Sequence, residues 1–496
     1  MNVASLQARK MPLVELLCMQ GQLQSTVLVS GLQIDSRQVS PGDLFLAVPG
    51  ENFDGRHFIE QAVSNGAVAV VAEPPVAGFV DSIAVPLLER SELQHEVGQL
   101  AAKFYGHPSR EIHVIGVTGT NGKTTTTWLI AQLAKLMGLS CGVIGTLGTT
   151  LGDAVSEAVN TTPDAISLQR TFAEWRQQGV FSAAMEVSSH ALTQGRVAGT
   201  SFETAVFTNL SRDHLDYHGD MASYGRAKKQ LFTAPGLAQA IVNLDDDYAQ
   251  ELLSAMDADT RVISYSITGN GLADVCIEEA CFDADGVTAK LHTPWGNGVL
   301  SSPLCGEFNL SNLIAAISSV ALMTKDFTGL LGAVSELNSV PGRMQRVTNS
   351  VGVQAIVDYA HTPDALEHVL LALRPQVSGR LITVFGCGGD RDAGKRPLMG
   401  RIASELSDVC IVTSDNPRGE DPESIVREIA SACIGTYSQI VNRGEAIASA
   451  VEMADKGDCV LVAGKGHEDY QIINGDRLHF SDEEQLKLAF ERRAQS

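Results

Sequence analysis

The sequence predicts an α/β protein of three domains: a small N-terminal α/β domain, a central doubly wound, mostly parallel sheet carrying a P-loop, and a C-terminal Rossmann-like α/β domain. Three observations predict it. At 496 residues with 44% hydrophobic content the chain is too long for one core and apolar enough for several. Apolar runs alternate with glycine turns and helix-like spacing over most of the length, the pattern of a parallel sheet with crossover helices. A glycine-punctuated loop, Gly-Val-Thr-Gly-Thr-Asn-Gly-Lys-Thr from Gly116 to Thr124, directly follows the run His113-Val114-Ile115.

In the first hundred residues two short apolar runs, Asp43 to Val48 and Ala67 to Ala72, flank a Pro-Gly-Glu-Asn-Phe-Asp-Gly turn and a helix-like stretch near His57 to Asn65. From about Arg110 strand-like runs follow at Val114 to Val117, Cys141 to Ile144, Ser182 to Met185, Thr204 to Phe207 and Ala240 to Val242. The loop after the first leads into helical spacing through Leu129, Leu133, Leu136 and Met137. The less regular Val262 to Leu300 segment predicts antiparallel strands at an edge, and helical spacing returns from Asn309 to Leu322. Beyond the turn at Val340-Pro341-Gly342, apolar runs at Leu381 to Phe385, Val409 to Val412 and Cys459 to Val462 each end in a polar loop. Ligands bind outside the carboxyl ends of parallel strands, so the loops 386–392, 414–421 and 464–469 are expected on one rim. The domains expected are 1–105, 106–340 and 341–496, with hinges near 100–110 and 338–342.

A formal net charge of −22 argues against nucleic acid as a substrate. The stretch Met1 to Gly21 is interrupted by Glu15 and lacks a small-residue cleavage site, and no apolar run reaches membrane-spanning length. Nine cysteines without a Cys-x-x-Cys pair fit reduced, mostly buried thiols. These features predict a cytoplasmic protein without membrane insertion.

The chemistry concentrates in a few places. In the loop Gly119-Thr120-Asn121-Gly122-Lys123-Thr124-Thr125, consecutive backbone N–H groups and a helix N-terminus suit a triphosphate, Lys123 adds a mobile charge and the Thr124 hydroxyl suits magnesium. The pattern departs from the strict Walker sequence, which would place glycine at Val117. Glu186 ends an apolar run where a carboxylate would hold a metal beside the phosphates, or simply face solvent. Asp213, His214, Asp216 and His218 crowd one loop, which suits either a metal or a hydrogen-bonded turn. By residue type alone Lys228 is an ordinary exposed helix lysine, Asn309 a helix cap and Arg343 a surface charge. A P-loop switch or kinase accounts for the phosphate loop alone.

The ordered set Gly-Thr-Asn-Gly-Lys-Thr (119–124), Met-Glu-Val-Ser-Ser-His (185–190), Asn-Leu-Ser-Arg-Asp-His-Leu-Asp-Tyr-His (209–218) and Tyr-x-x-Ala-Lys (224–228) resembles the Mur ligases, relatives of the folylpolyglutamate synthetases. The resemblance covers nearly the whole chain, least specifically at 1–33 and 245–300. It implies ATP and Mg2+ as cofactors, with Lys123, Glu186, His214 and Lys228 catalytic. Thr124, Glu186 and His214 are the implied metal ligands, and Lys228 is carbamoylated behind a second ion. Gly306-Glu-Phe-Asn-Leu-Ser-Asn312 places Asn309 on the adenine, Arg343 falls on the phosphates and Asp358 on the ribose.

Asp415-Asn416-Pro417-Arg418 resembles the loop of those family members that add meso-diaminopimelate. That amino acid carries a distal carboxylate and amine, which calls for a guanidinium from Arg418 or Arg391 and an acceptor such as Glu468, with Gly464 alongside. A lysine-adding enzyme has no use for that guanidinium and stands second. A UDP-muramoyl dipeptide is the implied partner substrate: Ile34 and Ser36 resemble the uridine segment, and Asn160, Thr161, Thr162, Ser188, Gln194 and Arg196 match positions holding sugar and peptide acid. Glu51-Asn-Phe53 carries over weakly. The implied reaction is ATP-dependent amide synthesis through an acyl phosphate by a monomer, for peptidoglycan precursor synthesis. A folate ligase has no need of the N-terminal domain.

Overall fold

The computed structural model describes residues 10–19, 27–50, 53–79, 83–152, 154–156, 160–283 and 286–495. Glu51 and Asn52, and most of Met1 to Gly21, lie outside them. The chain forms two compact units, one of residues 1–266, 270–275 and 315–325, the other of 267–269, 276–314 and 326–496.

The first unit holds a parallel sheet and a larger, mostly parallel one. Gly31–Gln33, Asp43–Ala47, Ala69–Ala72 and Leu87–Glu89 pair in that order, all parallel. Asp43–Ala47 and Ala69–Ala72 are buried at every position, as continuous apolar strands covered on both faces must be. In the larger sheet six parallel strands run in the spatial order Cys141–Gly145, Ser182–Glu186, His113–Thr118, Thr204–Phe207, Gln239–Asn243 and Arg261–Ser266. The strand before the phosphate loop is therefore central. Arg261–Ser266 is parallel to its neighbour, so the antiparallel part of the irregular segment begins only at Val275–Asp283.

Helix Lys123–Leu136 follows the central strand, Ala165–Gln177 is capped by Asp164 and Met221–Phe232 by Asp220. Phe172, Trp175, Phe202, Phe207, Leu231 and Phe232 interlock over one sheet face. Two glycines have steric reasons there. A Cβ on Gly142 would enter the Trp175 ring, and one on Gly116 would enter Phe202.

The second unit contains the antiparallel set Val275–Asp283, Gly286–His292 and Gly298–Ser302. Its main sheet runs Gln345–Arg346, Gln354–Asp358, Cys459–Ala463, Leu381–Phe385, Val409–Val412 and Tyr437–Gln439, parallel except for the short first edge. Leu381–Phe385 and Cys459–Ala463 are buried throughout. Their parallel neighbours put the loops at 386–392, 414–421 and 464–469 at one carboxyl edge. Of the nine cysteines, all free, Cys305, Cys387, Cys410 and Cys459 are buried while Cys18 and Cys281 are exposed, so burial is less general than their type suggests.

Candidate active site

Gly119 and Gly122 carry the chain through the loop with φ of 154° and 87°. A Cβ on Gly119 would run into the Thr208 hydroxyl, which itself donates to the Asn121 carbonyl at 2.6 Å. Asn209 clamps the loop from the adjacent strand: its Oδ1 accepts from Asn121 N at 2.9 Å and its carbonyl accepts from Thr120 N at 2.8 Å. The Lys123 ammonium lies over the loop, donating to the carbonyls of Gly119 (2.9 Å) and Thr120 (2.8 Å).

Glu186 is 1% exposed, so the solvated reading of a strand-end glutamate does not hold. Its Oε1 accepts from Thr146 N at 2.7 Å, and its Oε2 from the hydroxyls of Thr124 (3.0 Å) and Thr146 (3.2 Å). Thr162 donates to the Glu186 carbonyl at 2.8 Å and accepts from Ser188 N at 3.1 Å. Ser188 also caps helix Ser189–Thr193 through Ala191 N at 3.1 Å. Thr161 lies 3.2 Å from the Thr146 hydroxyl and Arg196 donates to the Thr162 carbonyl, which gathers the Thr162 segment around the carboxylate; Asn160 stays exposed. Gln194 donates to the Tyr217 hydroxyl.

Lys228 departs from its residue type. At 1% exposure it donates to the Gly119 carbonyl at 2.7 Å, the same oxygen that Lys123 reaches, and lies 4.3 Å from the centre of the Tyr224 ring. Burial, and next the Lys123 charge, hold its pKa well below the usual lysine value, with Asp213 opposing. The Tyr224 hydroxyl, pushed up to about 12 by burial, sits 3.2 Å from the Thr120 hydroxyl.

His214 has φ of 52°, its side chain is 47% exposed and its Nε2 is 3.4 Å from Asp213. Its ring meets His190 edge to face (4.9 Å), and His190 in turn meets Tyr217 (4.1 Å) and His218 (5.4 Å). Burial, then the charges of His190, His214 and Lys228, lower the His218 pKa. The Asp213, His214, Asp216, His218 loop is thus a turn whose histidine rings meet His190 edge to face. Among the described residues no three His, Cys, Asp or Glu side chains converge as a metal set.

In the second unit Asn309 lies inside helix Glu307–Ala321 rather than capping it. Its Nδ2 donates to the Cys305 carbonyl at 2.8 Å, and its Oδ1 is buried without a hydrogen-bond partner among the described residues. Arg343 stacks 4.3 Å over Tyr359 instead of standing free. Asp358, its pKa raised by burial against the pull of Arg343, accepts from Met344 N and Ala360 N.

The three rim loops interlock. Gly389 N donates to the Asn416 carbonyl at 2.9 Å, and Arg418, at φ of 54°, donates Nη1 to the Gly389 carbonyl at 2.8 Å. Asp415 and Asn416 are buried, Pro417 likewise. Gly464, at φ of 120°, holds a backbone conformation that side chains disfavour, close to Asp415 Oδ2. Glu468 already accepts from Asn416 Nδ2 at 2.9 Å and from Lys465 at 3.2 Å. Arg391 is exposed and donates to the Asp390 carbonyl, outside that mesh. Ser36 is buried, donating to Gln61 Oε1 at 2.7 Å, with the partly buried Ile34 nearby in the chain.

Three known-family models match in succession: the Mur ligase family, catalytic domain over residues 28–105; the Mur ligase middle domain over 117–320; and the Mur ligase, glutamate ligase domain over 342–466. A protein of Ectopseudomonas mendocina, named UDP-N-acetylmuramoyl-L-alanyl-D-glutamate--2,6-diaminopimelate ligase, is 49% identical over 95% of this chain and 96% of its own. The chain belongs to the Mur ligase family. A Pseudomonas aeruginosa relative of the same name is 48% identical over 94% of this chain and 96% of its own. A solved structure with that name superposes with a TM-score of 0.76 at 37% identity, covering 98% of this Mur ligase and all of the other chain. MurF from Acinetobacter baumannii shares the fold at a TM-score of 0.64 and 21% identity, over 92% of this chain and 96% of its own.

Sequence reasoning missed Thr146, Thr208 and Asn209, which shape the loop and carboxylate, and Lys465 and Arg443, which brace the rim of this Mur ligase. Strand-end position signals the first three. For the lysine the only signal was its place between two glycines in a rim loop.

Proposed function

We propose that this Mur ligase joins meso-diaminopimelate to the D-glutamyl side-chain carboxylate of UDP-N-acetylmuramoyl-L-alanyl-D-glutamate, with ATP converted to ADP and phosphate, in cytoplasmic peptidoglycan precursor synthesis. The near full-length relatives bear that name, and the three-part division at 1–105, 106–340 and 341–496 is the arrangement it suggests. The observation that carries the choice of amino acid is the rim. Asp415, Arg418 and Glu468 set two carboxylates and a guanidinium along one edge, the chemistry a distal ammonium and carboxylate require.

The glycine loop that Asn209 holds in shape and the start of helix Lys123–Leu136 receive the triphosphate, with Lys123 turning from the loop carbonyls to the γ-phosphate. The glutamyl carboxylate attacks the γ-phosphorus. An O–P bond forms, the bond to the β-phosphate oxygen breaks and ADP leaves. The deprotonated amine of diaminopimelate then attacks the acyl carbon, and the tetrahedral intermediate expels phosphate. Asn309 Oδ1, buried and unpartnered, suits the adenine amino group, Arg343 the phosphates and Asp358 the ribose.

The Thr124 hydroxyl and Glu186 carboxylate, 3.0 Å apart, form an all-oxygen pair that fits a magnesium ion retaining water and phosphate ligands. Thr124 and Glu186 would hold one such ion, with His214 and Lys228 the residues for a second, and bound ions would supply neutralisation of phosphate charge. The depressed Lys228 amine is suited to carbamoylation: the neutral nitrogen adds to carbon dioxide, one proton leaves and an uncharged amine becomes an anion.

The test compares amide product and ADP release with meso-diaminopimelate and with L-lysine, in the wild type and in Arg418→Ala. Release requiring the UDP-dipeptide and diaminopimelate, with a loss of about 2 kcal/mol or more in transition-state stabilisation for the variant, supports the reading. Equal use of lysine, or an indifferent Arg418→Ala, contradicts it.

A further inference from the structure

Lysine is among the side chains least often buried. Lys465 has no solvent exposure, yet it stands in the middle of the rim. Its ammonium reaches Asn416 Oδ1 at 3.1 Å, Glu468 Oε2 at 3.2 Å and Asp415 Oδ1 at 3.4 Å. Asn416 is fixed at both ends as a result: its Oδ1 also accepts from Ile472 N at 3.0 Å, while its Nδ2 donates to Glu468 Oε2 at 2.9 Å. The two Glu468 contacts fall on one oxygen and leave Oε1 to a ligand. Asp415 and Glu468 keep 9% and 17% side-chain exposure, so they present an edge outward while the lysine behind them does not.

We propose that Lys465 is a positioning residue that sets amino-acid selectivity by fixing the charge count of the rim; the inference rests on the ligase reading above. With Lys465 present, Asp415 and Glu468 are paired with its ammonium and Arg418 stands in the same loop as Asp415, so these four side chains carry no net charge. That matches the distal end of diaminopimelate, an ammonium and a carboxylate together. Without it, the same edge holds two carboxylates against Arg418 alone. An anionic rim favours a lone ammonium and repels a distal carboxylate, so the preference moves toward L-lysine. A lysine that only cemented the fold would lower turnover with both amino acids alike.

The experiment measures kcat/KM for meso-diaminopimelate and for L-lysine in the full chain, with saturating ATP and UDP-dipeptide. In Lys465→Met the diaminopimelate-to-lysine ratio falls by about tenfold or more, while KM for ATP and the UDP-dipeptide stays within about threefold. In Lys465→Arg, which keeps the charge, the ratio stays within about threefold of wild type even if both rates drop. A ratio in Lys465→Met equal to that of wild type overturns the inference. Should that variant fail to fold, Asn416→Asp adds the same single negative charge at 3.1 Å from the ammonium and shifts the ratio the same way; an unshifted ratio there overturns it equally. A wild type that makes no amide with diaminopimelate sinks the ligase reading itself, a separate result read before any variant.

Discussion

Arg443 and Asp482 form an ion pair with no solvent exposure on either side chain. Arg443 donates Nε and Nη2 to the two Asp482 oxygens, each at 2.7 Å, and also reaches the carbonyls of Ala463 (2.9 Å) and Ser414 (3.3 Å). Those carbonyls immediately precede Gly464 and Asp415, so the pair braces two rim loops from behind. Arg443→Met fills similar volume but strands a buried carboxylate, at a cost of about 3–5 kcal/mol. For a unit of this size that lowers its melting temperature by on the order of 10 °C. Removing both charges in Arg443→Met/Asp482→Leu relieves the stranded charge and leaves only two carbonyls short of a donor. The double variant therefore returns to within about 2 kcal/mol of wild type. Calorimetry, with hydrogen exchange at the amides of Cys459–Ala463 to localise the effect, reads both numbers. A single variant within about 1 kcal/mol of wild type, or a double variant no better than the single, refutes the reasoning.

Burial, and next the Arg343 charge, depress His467 to about 4 from an ordinary value of 6.5. Its folded pKa is the lower one, so its contribution is fully present above pH 6.5 and is lost as pH falls toward about 4. The upper limit is about 3 kcal/mol, and roughly half that given partial exposure of the ring. Unfolding free energies from pH 7.5 to 4.5 have a shallower slope in His467→Leu; identical slopes contradict the assignment. Gly119→Ala pushes a methyl group into the Thr208 hydroxyl at a φ that disfavours any side chain. Nucleotide binding by calorimetry falls by about tenfold or more, and full retention of affinity removes the loop from the site. Glu186→Gln keeps an acceptor for Thr146 N and should fold normally with turnover reduced about a hundredfold or more. Glu186→Ala strands the Thr146 N–H and loses about 2–4 kcal/mol of stability. Equal activity of Glu186→Gln and wild type counts against a role for that carboxylate.

Much of the fold was legible because its parallel strands are buried on both faces and read as unbroken apolar runs. Thr204–Phe207, Leu381–Phe385 and Val409–Val412 coincide with the runs in the sequence. The hairpin Gly148–Leu151 with Ala154–Ser156 escaped notice, since its second strand is exposed at all three positions and has no face to betray it. Strand Asp476–His479 is likewise exposed throughout. The phosphate loop was legible through its glycines, whose spacing answers to local backbone geometry. The environment of a charge was not: Lys228 and Lys465 are buried by partners more than a hundred and about fifty residues away in sequence. Nothing in residue type or period forecasts such contacts. Arg443 and Asp482 are hidden for the same reason, thirty-nine positions apart along the chain.

The central claim is amide synthesis through an acyl phosphate, and the most direct test is to follow an oxygen atom. With the glutamyl side-chain carboxylate labelled with oxygen-18, the account predicts one labelled oxygen in the inorganic phosphate for every amide bond formed, in a reaction that needs ATP, the UDP-dipeptide and meso-diaminopimelate together. Phosphate that emerges without label, or ADP that accumulates at full rate with either acceptor omitted, contradicts it.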